Sequence, residues 1–214
     1  MSVLNIFGKI LGNINDLKKF ILNTISKNIN KTLSKVDVGS NKIKSIILDS
    51  IRNQPEYTEL KSGVLRNQLG LPDPAMVDSV LSALDDIEVK INRAQVNNSE
   101  LQAQLIINVM KSDYSAVLSA AGASYTTEKG AQINWLEWLL LRGQDSVIVG
   151  YRYLPKITDK SRTGKGIMIS GNSAIYRVPP AFAGTVDDNW ITRGIDAALP
   201  EIEAYINNLI TRSL

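Results

Sequence analysis

The chain has 214 residues, 44% of them hydrophobic, which suffices to bury one core of ordinary size or two small ones. It contains no cysteine and no histidine, which excludes disulfides, thiolate metal sites and any triad built on imidazole. The formal net charge of +3 is unevenly spread: residues 1–66 hold 11 Lys+Arg against 5 Asp+Glu, and the remainder 13 against 16, so an excess of +6 lies in the front third.

Seven tyrosines, three tryptophans and three phenylalanines can pack a domain but are few for a nucleic-acid stacking platform. The composition argues against disorder. No apolar run approaches the roughly 20 residues of a bilayer span, and Lys9 and Asp16 interrupt the N-terminal apolar pattern. That segment also lacks a basic n-region and a small-residue cleavage site, so the chain is expected to be made and kept in a cytoplasm.

From Val3 to Lys35, apolar residues fall at steps of three and four: Leu4, Phe7, Leu11, Ile14, Leu17, Ile21, Ile25, Ile29 and Leu33. That is one stripe of a long helix, with Lys9, Lys18, Lys19, Lys27, Lys31 and Lys35 on its other face. Three roles fit: packing on the domain or a partner subunit, lying on a membrane surface, or contacting nucleic acid. Packing is favoured, because the large apolar residues of the segment are mostly Ile and Leu with two Phe, Phe7 and Phe20, and the basic face has lysine without arginine. After a break at Gly39, Ile43, Ile46, Ile47 and Ile51 predict a second helix over 41–52, ended by Pro55. Residues 56–69 predict a third up to Gly70, Leu71-Pro72-Asp73-Pro74 a rigid turn, and 75–84 a short helix.

The period changes at Asp86. Ile87, Val89 and Ile91 alternate with polar residues, as do Leu101, Ala103, Leu105, Ile107 and Val109 beyond the Asn97-Asn98 turn signal, which predicts an antiparallel hairpin. Asp113 is placed to cap a helix through Ala120, and Asn134 one through Leu141. Residues 144–153 read as a strand, and the glycine-marked stretch 161–193 as two short strands with two loops. Asp187 and Asp188 precede the apolar run 190–209 and are expected to cap that helix, with Pro200 kinking or dividing it. The fold class is therefore α+β: a helical N-terminal extension (1–53), then a domain over 54–214 with a small antiparallel sheet and packed helices. Within that domain, 54–85 read as helical, 86–180 as mixed and 187–211 as the C-terminal helix.

A phosphate-binding loop fails at Gly164-Lys165, because Asp159 stands where the first glycine belongs and Gly166 where Ser/Thr belongs. The acidic pairs Asp85-Asp86, Asp187-Asp188 and Glu201 with Glu203 lack partners that would make a metal site or an acid/base dyad. No catalytic, cofactor-binding or metal-binding residue is expected. An enzyme using carboxylates alone, such as a glycoside hydrolase, would need two of them facing across a cleft.

Ser161-Arg162-Thr163-Gly164, Gly166-Ile167-Met168 and Tyr176-Arg177-Val178-Pro179-Pro180, with Ala183-Gly184-Thr185 and Asp188-Asn189-Trp190, resemble a virion family of tailed bacteriophages with contractile tails. Pro55-Glu56-Tyr57 through Ser62-Gly63-Val64-Leu65-Arg66 to Leu69-Gly70-Leu71, and Trp135-Leu136-Glu137-Trp138-Leu139-Leu140, resemble the same proteins, so the likeness spans about residues 54 to 211. Ser62-Gly63-Val64-Leu65-Arg66 is also similar to the Thr-Gly-x-Leu-Arg of phage tail-completion proteins, with Ser for Thr.

The resemblance implies a neck or tail-completion protein that joins head connector and tail as a homo-oligomeric ring, without catalysis or cofactor. Its partners would be other virion proteins, namely connector, tail tube or sheath, and its place the virion, assembled in the host cytoplasm. A tail tube or baseplate subunit is an alternative. A basic protein contacting DNA is another, motivated by the charged front third; no membrane partner is expected. The candidate contact residues are Leu4, Phe7, Leu11 and Ile14 in the arm, and Arg162, Lys165, Arg177 and Trp190 in the loop region. Trp190 could equally be core and the basic residues solvated surface.

Overall fold

The structure, a computed structural model, describes residues 14–33, 37–84, 88–97, 100–108, 114–128, 130–155, 161 and 165–212. In chain order the elements are α1 (Ile14–Leu33), α2 (Asp37–Arg52), α3 (Pro55–Ser62), α4 (Val64–Gln68), α5 (Ala75–Ser82), β1 (Glu88–Asn97) and β2 (Glu100–Asn108). They continue with α6 (Ser115–Leu118), β3 (Tyr125–Thr126), β4 (Gln132–Ile133), α7 (Trp135–Leu140), β5 (Ile148–Leu154), β6 (Ile167–Tyr176) and α8 (Trp190–Thr211). The strands pair as three antiparallel two-stranded sheets, β1-β2, β3-β4 and β5-β6, so the class is α+β as expected.

The chain forms two compact units whose boundaries differ from the 1–53/54–214 division. One gathers Met1–Ile43, Glu88–Asn108 and Pro200–Leu214, the other Lys44–Ile87 and Val109–Leu199. Sequence periodicity reports which face of an element is apolar, not which distant element covers it, so a discontinuous unit is not visible along the chain.

In the first unit α1 lies on the β1-β2 hairpin. The β1-β2 register shifts between Asn92 and Gln95, a bulge that leaves the Ala94 backbone outside the ladder. Asn30 replaces the missing strand partner: its Oδ1 accepts from the Ala94 N–H at 2.8 Å and its Nδ2 donates to the Ala94 carbonyl at 2.9 Å. Ser26 Oγ donates to the same carbonyl at 2.7 Å. The predicted stripe is buried only in part: Ile29 is enclosed, Leu17 and Ile25 are half-buried, and Ile21 and Phe20 are exposed. The first thirteen residues of the chain, which include the start of the predicted arm helix, lie outside the described residues.

The second unit opens within α2, which begins before Gly39 and absorbs it as a helical residue, so the expected break is absent. Pro55 occupies the first position of α3, where its missing N–H costs nothing. The single helix expected over 56–69 is two, divided at Gly63, whose extended backbone separates α3 from α4. Gly70 terminates α4 in the left-handed region at φ 68°, and Leu71 N–H returns to the Arg66 carbonyl at 3.0 Å. Asp73 Oδ1 then accepts the Ala75 N–H at 2.8 Å as α5 starts.

Lys61 pairs with Asp78 at 2.5 Å and the Tyr57 hydroxyl donates to Asp78 at 2.8 Å, fastening α3 to α5. The Lys61 ammonium holds the Asp78 carboxyl below its usual range, against burial and with help from Tyr57. Beneath them Leu60, Leu65, Leu69, Leu71, Val77, Val80 and Leu81 are buried, each such side chain contributing about 1.5–3 kcal/mol. α7 buries Trp135, Leu136, Leu139 and Leu140, and the Trp135 indole N–H donates to the Gly122 carbonyl at 2.8 Å. Asn134 holds the N-cap position of α7 but makes no side-chain cap bond. The helix expected from Asp113 to Ala120 is the single turn α6, behind Tyr114 at φ 55°, and Asp113 lies outside the described residues.

Instead of two short strands, residues 167–176 form one long strand, β6, paired with β5. The register shifts between Val149 and Tyr151: Val149 faces Ile175, whereas Tyr151 faces Ser170, so residues 171–174 stand opposite Gly150 alone.

α8 begins at an asparagine rather than an aspartate. Asn189 Oδ1 accepts the N–H groups of Ile191 at 3.1 Å and Thr192 at 3.2 Å, and its own N–H donates to Thr192 Oγ1 at 2.8 Å. Its Nδ2 donates to Tyr114 Oη at 2.8 Å and to the Thr185 carbonyl at 2.9 Å. An acid at this buried position could not make those two donations. Asp187 is exposed, and Asp188 is drawn aside to Arg193 Nη1 at 2.6 Å. Pro200 does not divide α8, which is helical from Trp190 to Thr211. Among the described residues no helix is long and apolar enough to cross a membrane.

Two substitutions test this packing. Asn189→Asp keeps the cap acceptor but loses both donations and buries a charge, so urea denaturation is expected to show a loss of about 2–4 kcal/mol. A Cβ at Gly194 would lie 2.6 Å from Ile51 Cγ1 and 2.7 Å from Ile51 Cα. Gly194→Ala should therefore destabilise by about 1–3 kcal/mol, opposite in sign to the roughly 1 kcal/mol gain of an unobstructed helical Gly→Ala.

Candidate functional site

The second unit holds a partly open cleft of about 490 Å³, within the usual range for ligand sites of roughly 300–1,000 Å³. Its floor and walls come from four separate stretches: the end of α4 with Leu69 and Gly70, the β3-β4 pair with Tyr125, Gln132 and Ile133, Trp138 of α7, and β5-β6 with Tyr153, Met168 and Tyr176. Lys165 and Gly166 close one side. Apolar side chains dominate, with a few polar groups among them.

Three phenols converge here and are not equivalent. Tyr125 donates to the Leu69 carbonyl at 2.9 Å, and Tyr153 donates to the Lys165 carbonyl. Tyr176 is 7% exposed, and its hydroxyl has no hydrogen-bond partner among the described residues. Burial pushes all three hydroxyls above their ordinary pKa, most strongly at Tyr176, where Tyr153 and Tyr125 add to the effect. Each is therefore a neutral phenol at physiological pH. Tyr125 and Tyr153 have committed their protons to backbone carbonyls, whereas the Tyr176 proton is uncommitted.

Among the described residues Lys165 is the one charged residue of the lining, and no carboxylate shares it. Of the acidic residues considered from sequence, none that is described lines the cleft. Glu201 and Glu203 are exposed on α8, Asp187 is exposed, Asp188 pairs with Arg193, and Asp85 and Asp86 lie outside the described residues. Among the described residues, no group of three or more His, Cys, Asp or Glu could hold a metal ion.

The candidate contact residues are dispersed. Leu4, Phe7, Leu11 and Arg162 lie outside the described residues, and Ile14 opens α1 with its side chain likewise outside them. Lys165 is half-buried at the cleft. Arg177 is exposed and lines a separate hollow of about 250 Å³ beside Gly143 and Gly184, whose backbones meet in a 3.1 Å hydrogen bond. Trp190 is fully buried, so it belongs to the core and meets no neighbouring molecule. Sequence reading did not find the cleft, because Leu69, Tyr125, Trp138, Tyr153 and Tyr176 carry no common spacing; an unusual density of tyrosine after residue 113 was the available signal.

Away from the cleft lining, the second unit holds a buried carboxylate. Glu56 is 1% exposed and its Oε1 lies 2.5 Å from Arg193 Nη2, while Arg193 also reaches Asp188. Burial alone would lower the Arg193 pKa, but its hydrogen bonds to Glu56 and Asp188 leave it raised.

Comparison with known protein families, curated proteins and solved structures finds no match to this chain.

Glu56→Gln keeps an acceptor for Arg193 but removes the charge that strengthens the bond, and is expected to cost about 1–3 kcal/mol, read as a lower urea midpoint with unchanged slope.

Proposed function

We propose that this chain is a non-enzymatic structural protein that works by binding other protein subunits, and that it serves a tailed-phage virion as a neck or tail-completion component assembled in a ring. The observation that carries the binding role is an apolar pair on the outside of the β5-β6 sheet. Val149 is 72% exposed and Ile175 directly opposite it is 56% exposed, with Tyr151 also exposed nearby. Directly opposed apolar side chains left in water favour contact with another surface. Among the described residues neither strand has a second neighbour, so both outer edges offer backbone groups for pairing.

The virion assignment is supported by the resemblance over about residues 54 to 211, which includes β6 and the start of α8. On the same resemblance the chain would meet connector, tail tube or sheath proteins, and a tail tube or baseplate position is the alternative within that class. The basic front third supports a second reading, contact with DNA.

Light scattering on the purified chain tests the first reading. A defined oligomer is expected, and Val149→Lys with Ile175→Glu, which places opposite charges across the ladder, should reduce it to monomer with the far-UV circular dichroism spectrum unchanged, since both side chains lie outside the core of the single chain. Point substitution is the sharper tool than removing residues 1–35, which would strip α1 from its hairpin. A monomer at all concentrations, with DNA binding that falls steeply with salt, would replace this reading with the second.

A further inference from the structure

We propose that the tyrosine-lined cleft is a binding site for a carboxylate carried on an apolar body. This does not rest on the assembly role, since a subunit-binding protein can hold such a ligand whatever its partners. Three observations converge. The lining is mainly apolar and large enough for one or two side-chain-sized groups. Tyr176 presents an enclosed hydroxyl whose proton has no acceptor among the described residues, a deficit that a ligand oxygen would fill. Among the described residues Lys165 is the sole charge of the lining, with no carboxylate beside it and no ion pair to any of them.

The polarity of the site selects the ligand. A cation would meet Lys165 with no compensating acid among the described residues, and a purely apolar molecule would leave the Tyr176 hydroxyl unanswered. A carboxylate accepts from a phenol and pairs with an ammonium through charge-assisted bonds, while its apolar body covers residues such as Ile133, Trp138 and Met168. The Tyr125 and Tyr153 oxygens, having donated their protons to backbone, remain acceptors and tolerate a ligand N–H as well. Such a carboxylate can come from a free small acid or from an acidic side chain next to an apolar one on a partner segment.

Isothermal titration of the whole chain with 3-phenylpropionate, its neutral amide 3-phenylpropionamide, and the capped dipeptide N-acetyl-Phe-Glu-amide tests this. Saturable 1:1 binding of at least one carboxylate is expected, with the neutral amide weaker by about fivefold or more. Tighter binding of the dipeptide assigns the site to a partner segment, and tighter binding of the free acid assigns it to a small molecule. Tyr176→Phe and Lys165→Met should each weaken the carboxylate by about 3- to 20-fold. Tyr176→Phe should hold or raise the melting temperature, because it removes an unanswered polar group; Lys165→Met carries the test if that variant fails to fold. No saturable binding by either carboxylate, equal binding of acid and amide, or wild-type affinity in both variants would overturn the proposal.

Discussion

Glu56 sits in the second unit with almost no contact with water, and Arg193 is the cation that answers it. A buried carboxylate is tolerable only if its partner is held in place, which requires α8 to present Arg193 at one height above the start of α3. That requirement is met by two neighbours on α8. Asn189 fixes the first turn by capping it and by bonding to Tyr114 and Thr185. Gly194 lets α8 approach α2 so closely that a single methyl group would strike Ile51. The ion pair, the cap and the close approach are three parts of one placement, and disturbing any of them moves the others.

The same economy explains why the cleft has its shape. The left-handed turn at Gly70 ends α4 and aims the Leu69 carbonyl at Tyr125, and β6 brings Tyr176 to the same space from more than a hundred residues away. Tyr125 and Tyr153 serve the fold by bonding to backbone carbonyls. Tyr176 serves no described group, and an unanswered buried hydroxyl is a cost that folding alone gives no reason to retain.

Much of the local structure was legible. Period-3.6 runs located the helices of the first 84 residues, the switch to alternation located β1 and β2, and Pro55 and Gly70 marked a helix start and stop by their backbone chemistry. The failures have local physical causes. Gly39 and Pro200 read as breakers but sit inside α2 and α8, because single-residue propensity is a weak term that the rest of a helix can override. Asp187 and Asp188 looked like caps because carboxylates suit helix starts, but the position is buried and also requires a donor, which Asn189 supplies.

By itself the sequence determined the α+β class, the exclusion of imidazole and thiolate chemistry, and the apolar faces that elements must cover, because composition and period act within a few residues of the chain. Only the tertiary structure decided that α1 closes a bulge in a hairpin some sixty residues away, that Trp190 is enclosed, and that three tyrosines from different elements share one cleft with a lysine. Those outcomes depend on which distant surfaces meet. Contact between surfaces is set by shape and by the pairing of buried polar groups, and neither is written in the spacing of residues along the chain.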